Sequence, residues 1–594
     1  MNHMNQPVFL TTRVTGMQIL TRPRSGNILS DTSPQLSPLA RRVLAGRGID
    51  HVDELAFKLH QLHAVQQLGS VNAGASLLAE AVEGERRILV VGDYDADGAT
   101  ATALTLRALQ LMGHADVDFL VPDRFKYGYG LTPAIVELAQ ERSPWLLMTV
   151  DNGVSSIEGV AAARALGYRT LITDHHLPGD QLPDCDVMVN PNLHGDGFPS
   201  KALAGVGVVF YLMLALKKEL GARGYFARRG REEPNLTQLL DLVALGTVAD
   251  VVPLDGNNRI LVEQGLRRMR AGAAQPGITA LLQLAGRPLG QVASSDLGFH
   301  CGPRLNAAGR LDDMSIGIRC LLTDDEQEAR QLAQALDRLN GERKRIEADM
   351  KQEAEAIIQA AVFDQPQSEL PPIMILHQPD WHEGVIGILA ARVRERHYRP
   401  VITFASGDGG VVKGSARSVT GLHIRDLLDE VASSCPGLIL RFGGHAMAAG
   451  LTLKEERLDE FAEVMTAVVA RHVRADTFHE VIYTDGELEP TEFCLESADT
   501  LRLLAPWGQW FPEPQFMGEF EIVSRRVLKE LHLKAELMPV FADGLPVTPV
   551  DAIDFFADLE RWPGVGERVQ LVYQLDVNAF RGQRSLQLKV VWVL

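Results

Sequence analysis

Asp93, Asp95 and Asp97 occupy alternate positions in "VVGDYDADGAT" (Val90 to Thr100), directly after apolar β-forming residues and directly before Gly98. Like charges this close repel unless a cation sits among them. Later apolar runs also end in groups able to bind metal. Asp151 follows "WLLMTV", Asp174, His175 and His176 follow "YRTLIT", and Asp250 lies in "ALGTVADVVPL". Carboxylate and imidazole donors without thiolates suit Mn2+ or Mg2+ better than a structural zinc. Two such ions sharing a carboxylate can clamp the attacking and leaving oxygens of a phosphoryl transfer.

A single aspartate at a strand end is most often a helix cap or turn residue. Three at alternate positions, two further strand-end sites and a histidine pair need several independent accidents, so metal is the stronger reading. Within the set, Asp93 and Asp174 fit capping, or orienting the true ligands, better than the others do. Adjacent histidines on an extended segment point apart, so one can coordinate while the other faces substrate.

The elements that must position these groups follow from periodicity. From Arg87 to about Asp250, short β-rich runs alternate with Ala/Leu-rich helical stretches, the pattern of a parallel sheet whose ligand crevice lies outside the carboxyl ends of its strands. Thr323 to Phe363 is charged, with Leu332, Leu336, Leu339, Ile346, Met350, Ile357 and Ala361 at helical spacing, and predicts one long connecting helix. "DQPQSELPP" marks a boundary before a second α/β block starting at Ile373. Past Arg471 the chain becomes β-rich and fits a small barrel. The expected divisions are 1–44, 45–322, 323–363, 364–470 and 471–594.

At 594 residues the chain is too long for one core. Its net charge of -18 gives no global sign of a polyanionic partner, yet a nuclease can confine positive charge to one groove. Cys185, Cys301, Cys320, Cys435 and Cys494 are scattered and odd in number, which argues against a disulfide or zinc framework. The run Ala202 to Leu216 is too short to span a membrane, and the N-terminus lacks a secretory signal pattern. A cytoplasmic location is expected.

"GDYDADG", "VDNG" (Val150 to Gly153), "TDHH" (Thr173 to His176) and "VADVVPL" resemble, in order, the four motifs of the DHH phosphoesterase superfamily. "RFGGHAMAAG" (Arg441 to Gly450) resembles the signature of its associated DHHA1-type domain. With "DRFKYGYGL", "GPRLNAAGR", "WHEGVIGI" and "GSARS", the chain is similar to the RecJ family of single-strand-specific exonucleases from about residue 45 onward. Val91 stands where the pyrophosphate-hydrolysing branch carries a histidine ligand, which argues against that branch.

The resemblance implies a two-ion Mn2+ or Mg2+ site. Its ligands would be Asp93, Asp95, Asp97, Asp151, His175 and Asp250, with Asp151 bridging and His176 touching the scissile phosphate. It implies phosphate contacts from Arg304, Asn306 and Arg310, and a 5′-end pocket from Arg124, Ser415 and Arg417. The Gly443-Gly444-His445 loop would approach the backbone of the strand closely. Tyr127, Tyr129 and Trp381 are candidates for stacking on bases. The implied fold is a DHH domain and a DHHA1-type domain facing each other across a narrow channel, joined by the long helix, with a C-terminal OB-like domain. The implied activity is 5′-to-3′ hydrolysis of single-stranded DNA to 5′-mononucleotides in repair and recombination, served by a helicase and a single-stranded-DNA-binding protein. Two rivals compete. Relatives that degrade short oligoribonucleotides or cyclic dinucleotides are about half this length without the β-rich tail, and a non-catalytic binding protein would have lost metal ligands that are intact here.

Overall fold

The structure, a computed structural model, describes residues 10–14, 17–22, 36–363, 370–474, 476–529, 531–541, 548–580 and 582–594. The described chain begins with β1 (Leu10–Val14) and β2 (Met17–Thr21). The first large sheet follows: β3 (Ile88–Gly92), β4 (Val117–Leu120), β5 (Leu146–Val150), β6 (Arg169–Thr173) and β7 (Val187–Val189), in the order β4-β3-β5-β6-β7. All its pairings are parallel. Every residue of β3 and β5 is buried, which is why both strands are continuous apolar runs. Leu89, Val91, Leu147 and Ile172 pack on one face against Ile135, Val136, Val160 and Ala163 of the helices Pro133–Gln140 and Ile157–Ala165. Because β4 and β5 lie on opposite sides of β3, the chain reverses direction across the sheet there, and a crevice opens at the strands' carboxyl ends.

The helix Glu326–Phe363 is a single element of 38 residues. The chain divides into two compact units within it, between Asp337 and Arg338. One unit, residues 10–20 with 338–483, holds a mixed sheet of β8 (Met374–Gln378), β9 (Val401–Gly407), β10 (Val411–Arg417), β11 (Arg441–Gly444) and β12 (Ala448–Lys454). Its order is β11-β12-β10-β9-β8, with only the β8 and β9 pair parallel. Phe404, Leu428, Leu451, Phe461 and Met465 lie in its core. In the same unit β1 and β2 form a three-stranded sheet with β13 (Glu480–Thr484).

The other unit combines residues 21–337 with 484–594. Its C-terminal part is a closed barrel, β14-β15-β16-β18-β17, made of β14 (Phe516–Leu528), β15 (His532–Pro539), β16 (Val550–Phe555), β17 (Arg568–Phe580) and β18 (Gln583–Val593). A parallel pairing of β16 with β18 closes it around Phe516, Phe520, Leu537, Leu571 and Tyr573. The barrel is keyed to the parallel-sheet domain. Arg47 and Asp485, each 1% exposed, pair at 2.7 Å. Ser294 Oγ donates to the Trp507 carbonyl and Arg502 pairs with Asp296. No helix among the described residues is long and apolar enough to cross a membrane.

Candidate metal centre

The three alternating aspartates do not share one extended segment. Asp95 is the last extended residue, and the helix Ala96–Leu111 begins immediately after it. Its Oδ1 accepts from Asp97 N at 2.9 Å and Gly98 N at 3.1 Å, the N-cap geometry. The capping role expected of Asp93 therefore belongs to Asp95, and Asp93 is instead grouped with Asp95 and Asp151, their ligand atoms within 4.8 Å of one another. Asp97 turns inward with the first helical turn and is 1% exposed. Its carboxylate accepts from Gly205 N at 2.6 Å and Val206 N at 2.9 Å, the first amides of the helix Gly205–Ala222. Burial, joined by the charge of Asp95, pushes Asp97 up to about 7, while those two amides pull the other way.

Asp151 follows β5 with φ at 62°, a left-handed turn that sets its carboxylate into the crevice. A Cβ on Gly205 would lie 2.6 Å from Asp151 Cβ, so that position admits only glycine. Asp250 ends the helix Leu240–Ala249. His175 Nε2 stands between these groups, 3.1 Å from Asp151 Oδ1, 3.4 Å from Asp250 Oδ2 and 4.0 Å from Asp97 Oδ2. Burial, then the neighbouring carboxylates with Asp97 foremost, raise Asp151 and Asp250 well above the usual carboxylate range.

Asp174 does orient its neighbours. It accepts from the backbone N–H groups of Val154, His175 and His176, and its Oδ1 lies 2.8 Å from His176 Nδ1. Burial opposes charge on His176, but the bond to Asp174 outweighs it and holds the imidazole up at about 9. The two imidazoles do not point apart as an extended segment would require. Asn192 and Asn190 bind the carbonyls of His175 and His176, bending the segment so that the rings lie 4.5 Å apart.

These groups fit a divalent cation. Asp151 Oδ1 and Asp250 Oδ2 are buried and complete no hydrogen bond among the described residues. Three trios have ligand atoms within reach of one ion: Asp97, His175 and Asp250; Asp93, Asp95 and Asp151; Asp151, His175 and His176. Asp151 belongs to two of them. Carboxylates that burial drives towards their neutral form gain most from a cation, which replaces protons as the compensating charge.

Other expected site residues are distributed more widely. Asn306 Oδ1 accepts from Ala96 N at 2.7 Å, so it fixes the start of the helix that carries Asp97. Arg304 is committed to Asp337 and to the His300 carbonyl, which makes it a brace for the long helix. Arg310 lies in the last turn of the same helix as both, Gly302–Leu311. In the other unit, Ser415 and Arg417 share one side of β10 as their spacing predicts, with Arg417 Nη1 3.2 Å from Ser415 Oγ. A Cβ on Gly387, at the start of the helix Ile386–His397, would lie 3.0 Å from that hydroxyl and 3.1 Å from Arg417 Nη2. Gly443 and Gly444 end β11, Gly444 at φ 143°, and His445 N–H donates to Ala448 to close the turn. The Arg124 side chain lies outside the described residues.

Trp381 is not a stacking surface. It is 4% exposed and its Nε1 donates to Glu353 at 2.8 Å. Tyr127 packs against the sheet core, whereas Tyr129 reaches the Asp151 carbonyl at 3.3 Å and stands edge-on to His176. Sequence reasoning missed the Gly205 and Val206 amides, which carry no side-chain signal. It also missed Asn190 and Asn192, whose signal was the "VNPN" after an apolar run.

Family models match in the same order along the chain: the DHH family N-terminal domain over residues 87–247, the DHHA1 domain over 370–471 and the RecJ OB domain over 484–591. The chain is 50% identical over 580 residues to the single-stranded-DNA-specific exonuclease RecJ of Dickeya dadantii (strain 3937), covering 97% of this chain and 99% of that protein. It is 49% identical over 578 residues to the RecJ of Escherichia coli (strain K12), with the same coverage. The chain belongs to the RecJ family. Two solved RecJ structures from Thermus thermophilus, one in complex with Mn2+ and one with Mg2+, match it with TM-scores of 0.76 and 0.71 at 30% and 28% identity. Each match covers 97% of this chain, and 79% and 77% of the respective Thermus chains. The RecJ architecture expected from the sequence is the one observed: a parallel-sheet DHH domain, a long helix, a DHHA1 mixed sheet and a β-rich OB domain.

Proposed function

We propose that the chain is a metal-dependent exonuclease that removes nucleotides from the 5′ end of single-stranded DNA. The observation that carries this reading is the buried carboxylate and imidazole cluster at the sheet's switch point, in a chain about half identical to single-stranded-DNA-specific exonucleases over nearly its full length. Two Mn2+ or Mg2+ ions, one held by Asp97, His175, Asp250 and Asp151 and one by Asp93, Asp95 and Asp151, would supply a lowered water pKa and compensation for the charge that develops on phosphate.

The chain's own residues do the rest. The Gly205 and Val206 amides and the turn at Asp151 fix carboxylates that would otherwise repel one another apart. His176, kept cationic near neutral pH by Asp174, offers a positive hydrogen-bond donor to the non-bridging oxygens of the scissile phosphate. Ser415 and Arg417 present a hydroxyl beside a guanidinium fork that matches a terminal phosphate, and this pair would set the polarity. Gly443, Gly444 and His445 would admit the backbone of the strand closely. The barrel would hold the body of the strand. Because such a substrate must first be unpaired, a helicase and a single-stranded-DNA-binding protein are its natural cytoplasmic partners.

The deciding experiment follows 5′-labelled and 3′-labelled single strands with added Mn2+. Immediate release of labelled mononucleotide from the 5′ label alone is expected. Asp151→Ala should leave strand binding intact while cutting turnover below about a hundredth of wild type, since electrostatic groups of this kind carry several kcal/mol. Release from the 3′ label first would overturn the polarity, and substantial turnover by the variant would overturn the bridging role.

A further inference from the structure

Large apolar side chains standing singly in water are ordinary on a protein surface. Three such residues lie on segments that meet around the end of the helix carrying Asp250. Val251, 63% exposed, directly follows Asp250; Phe299, 72% exposed, sits on the π-helical turn Leu297–Cys301; Trp510, 77% exposed, directly precedes the buried Phe511. Their segments touch within one compact unit. The π-helical turn packs on the end of the helix that delivers Asp250. A Cβ on Gly298 would lie 3.3 Å from Val248 Cγ1, and one on Gly302 would lie 3.0 Å from Ala249 Cβ. Leu254 N–H donates to the Gln509 carbonyl at 2.8 Å, and a Cβ on Gly508 would meet Leu254 at 2.7 Å.

All three occupy unusual backbone. Val251 and Trp510 are left-handed, at φ 60° and 63°, a region that β-branched and bulky residues rarely adopt. Phe299 lies on a π-helical turn, a geometry concentrated at functional sites. The neighbours of Trp510 show that its segment is able to bury aromatic rings. Trp507 and Phe511 stack at 5.1 Å, with Arg47 5.1 Å from the first ring and Arg259 4.5 Å from the second. Trp510 stays outside that stack.

We propose that Val251, Phe299 and Trp510 form a track on which unpaired bases of the substrate strand rest as its end reaches the metal centre. This inference depends on the single-strand exonuclease reading. The track starts in the segment that carries Asp250, a candidate metal ligand, and the segments of Phe299 and Trp510 each touch the stretch Val248–Leu254, which sets it beside the proposed reaction site. Every base has an apolar π-face, and stacking on aromatic side chains is indifferent to base identity. That suits an enzyme that must take any sequence and advance by one nucleotide after each cut. A duplex hides those faces, so the track would also favour single strands over paired ones.

The test uses the full-length chain with Asp151→Ala, so that strands are bound and not cut, and adds Phe299→Ala or Trp510→Ala. Anisotropy in Mn2+ compares a 3′-labelled oligothymidylate with an abasic strand of the same length. Each variant should weaken binding of the thymidylate by about 5- to 100-fold and leave the abasic strand unchanged, while Trp510→Phe retains most of the affinity. Equal weakening on both strands would overturn the track in favour of a structural role. No weakening on either would also overturn it. Should Trp510→Ala fail to fold, Phe299→Ala and Trp510→Phe carry the same comparison. The underlying reading fails separately: it falls if wild type does not shorten single strands, whereas an active wild type with normally binding variants refutes only the track.

Discussion

Asp97 and Asp151 are buried, with the part-exposed Asp250 beside them; burial, then the charge of Asp95 on Asp97 and of Asp97 on the other two, raises all three, Asp97 from 3.8 to about 7. A carboxyl raised in the folded state binds its proton more tightly there than in the unfolded chain, so its stabilising contribution is present at low pH and is lost as pH rises from 3.8 towards 7 and above. His176, raised from 6.5 to about 9, acts in the same direction at higher pH, its contribution falling away as pH rises through 9. Between about pH 4 and 7 these groups should therefore cost the metal-free protein thermal stability as pH rises, whereas the depressed Asp174 and Asp186 act in the opposite sense below that window. Saturating Mn2+ should remove most of that slope, and thermal unfolding across pH with and without Mn2+ checks both. Gly205→Ala probes the same charges sterically, because its methyl would overlap Asp151. It should cost about 1–3 kcal/mol of stability and abolish Mn2+ affinity measured by calorimetry.

At the scale of elements, β10 turns a sequence spacing into a shared face on which Arg417 donates to Ser415 Oγ. Ser415 and Arg417 share a face because side chains alternate along a strand, and Gly387 leaves room for them at the start of the neighbouring helix. If Arg417 holds the terminal phosphate, Arg417→Ala should narrow the preference for 5′-phosphorylated over 5′-hydroxyl strands by about 1.5–3 kcal/mol. Equal slowing of both substrates would reduce it to a contact along the strand. The strand-end placement of the acids was legible in the same way, since an apolar β run followed by Asp or His is a local pattern. That Asp95 caps the helix while Asp97 meets a second helix was not legible, because it depends on where Gly205 arrives from over a hundred residues away.

For the molecule as a whole, the barrel is less separable than its sequence implied. The sequence sets the β-rich tail apart from residue 471 onward, yet residues up to Tyr483 belong to the unit of the mixed sheet, and Thr484–Leu594 are built into the unit that contains the parallel sheet and the candidate metal cluster. Asp485 accepts from both terminal nitrogens of Arg47, and Arg47 also donates to the carbonyls of Val43 and Pro512. Asp485→Ala would leave a buried guanidinium uncompensated and should lower unfolding free energy by about 3–5 kcal/mol in denaturant titrations. Loss of strand binding after removal of the whole barrel therefore needs a stability control before it is assigned to lost DNA contacts.

The sequence by itself determined the parallel sheet, the long helix, the second α/β block and the terminal barrel, along with the aspartates and histidines that gather at the strand ends. Periodicity and residue type are local properties, and hydrophobic burial converts them into elements with little ambiguity. Only the tertiary structure decided the division of labour within the cluster, the bend that brings His175 and His176 together, the bracing role of Arg304 and the burial of Trp381. It also decided the exposure of Val251, Phe299 and Trp510. Each of these depends on which distant group arrives beside a side chain, and no local pattern in the chain records that meeting.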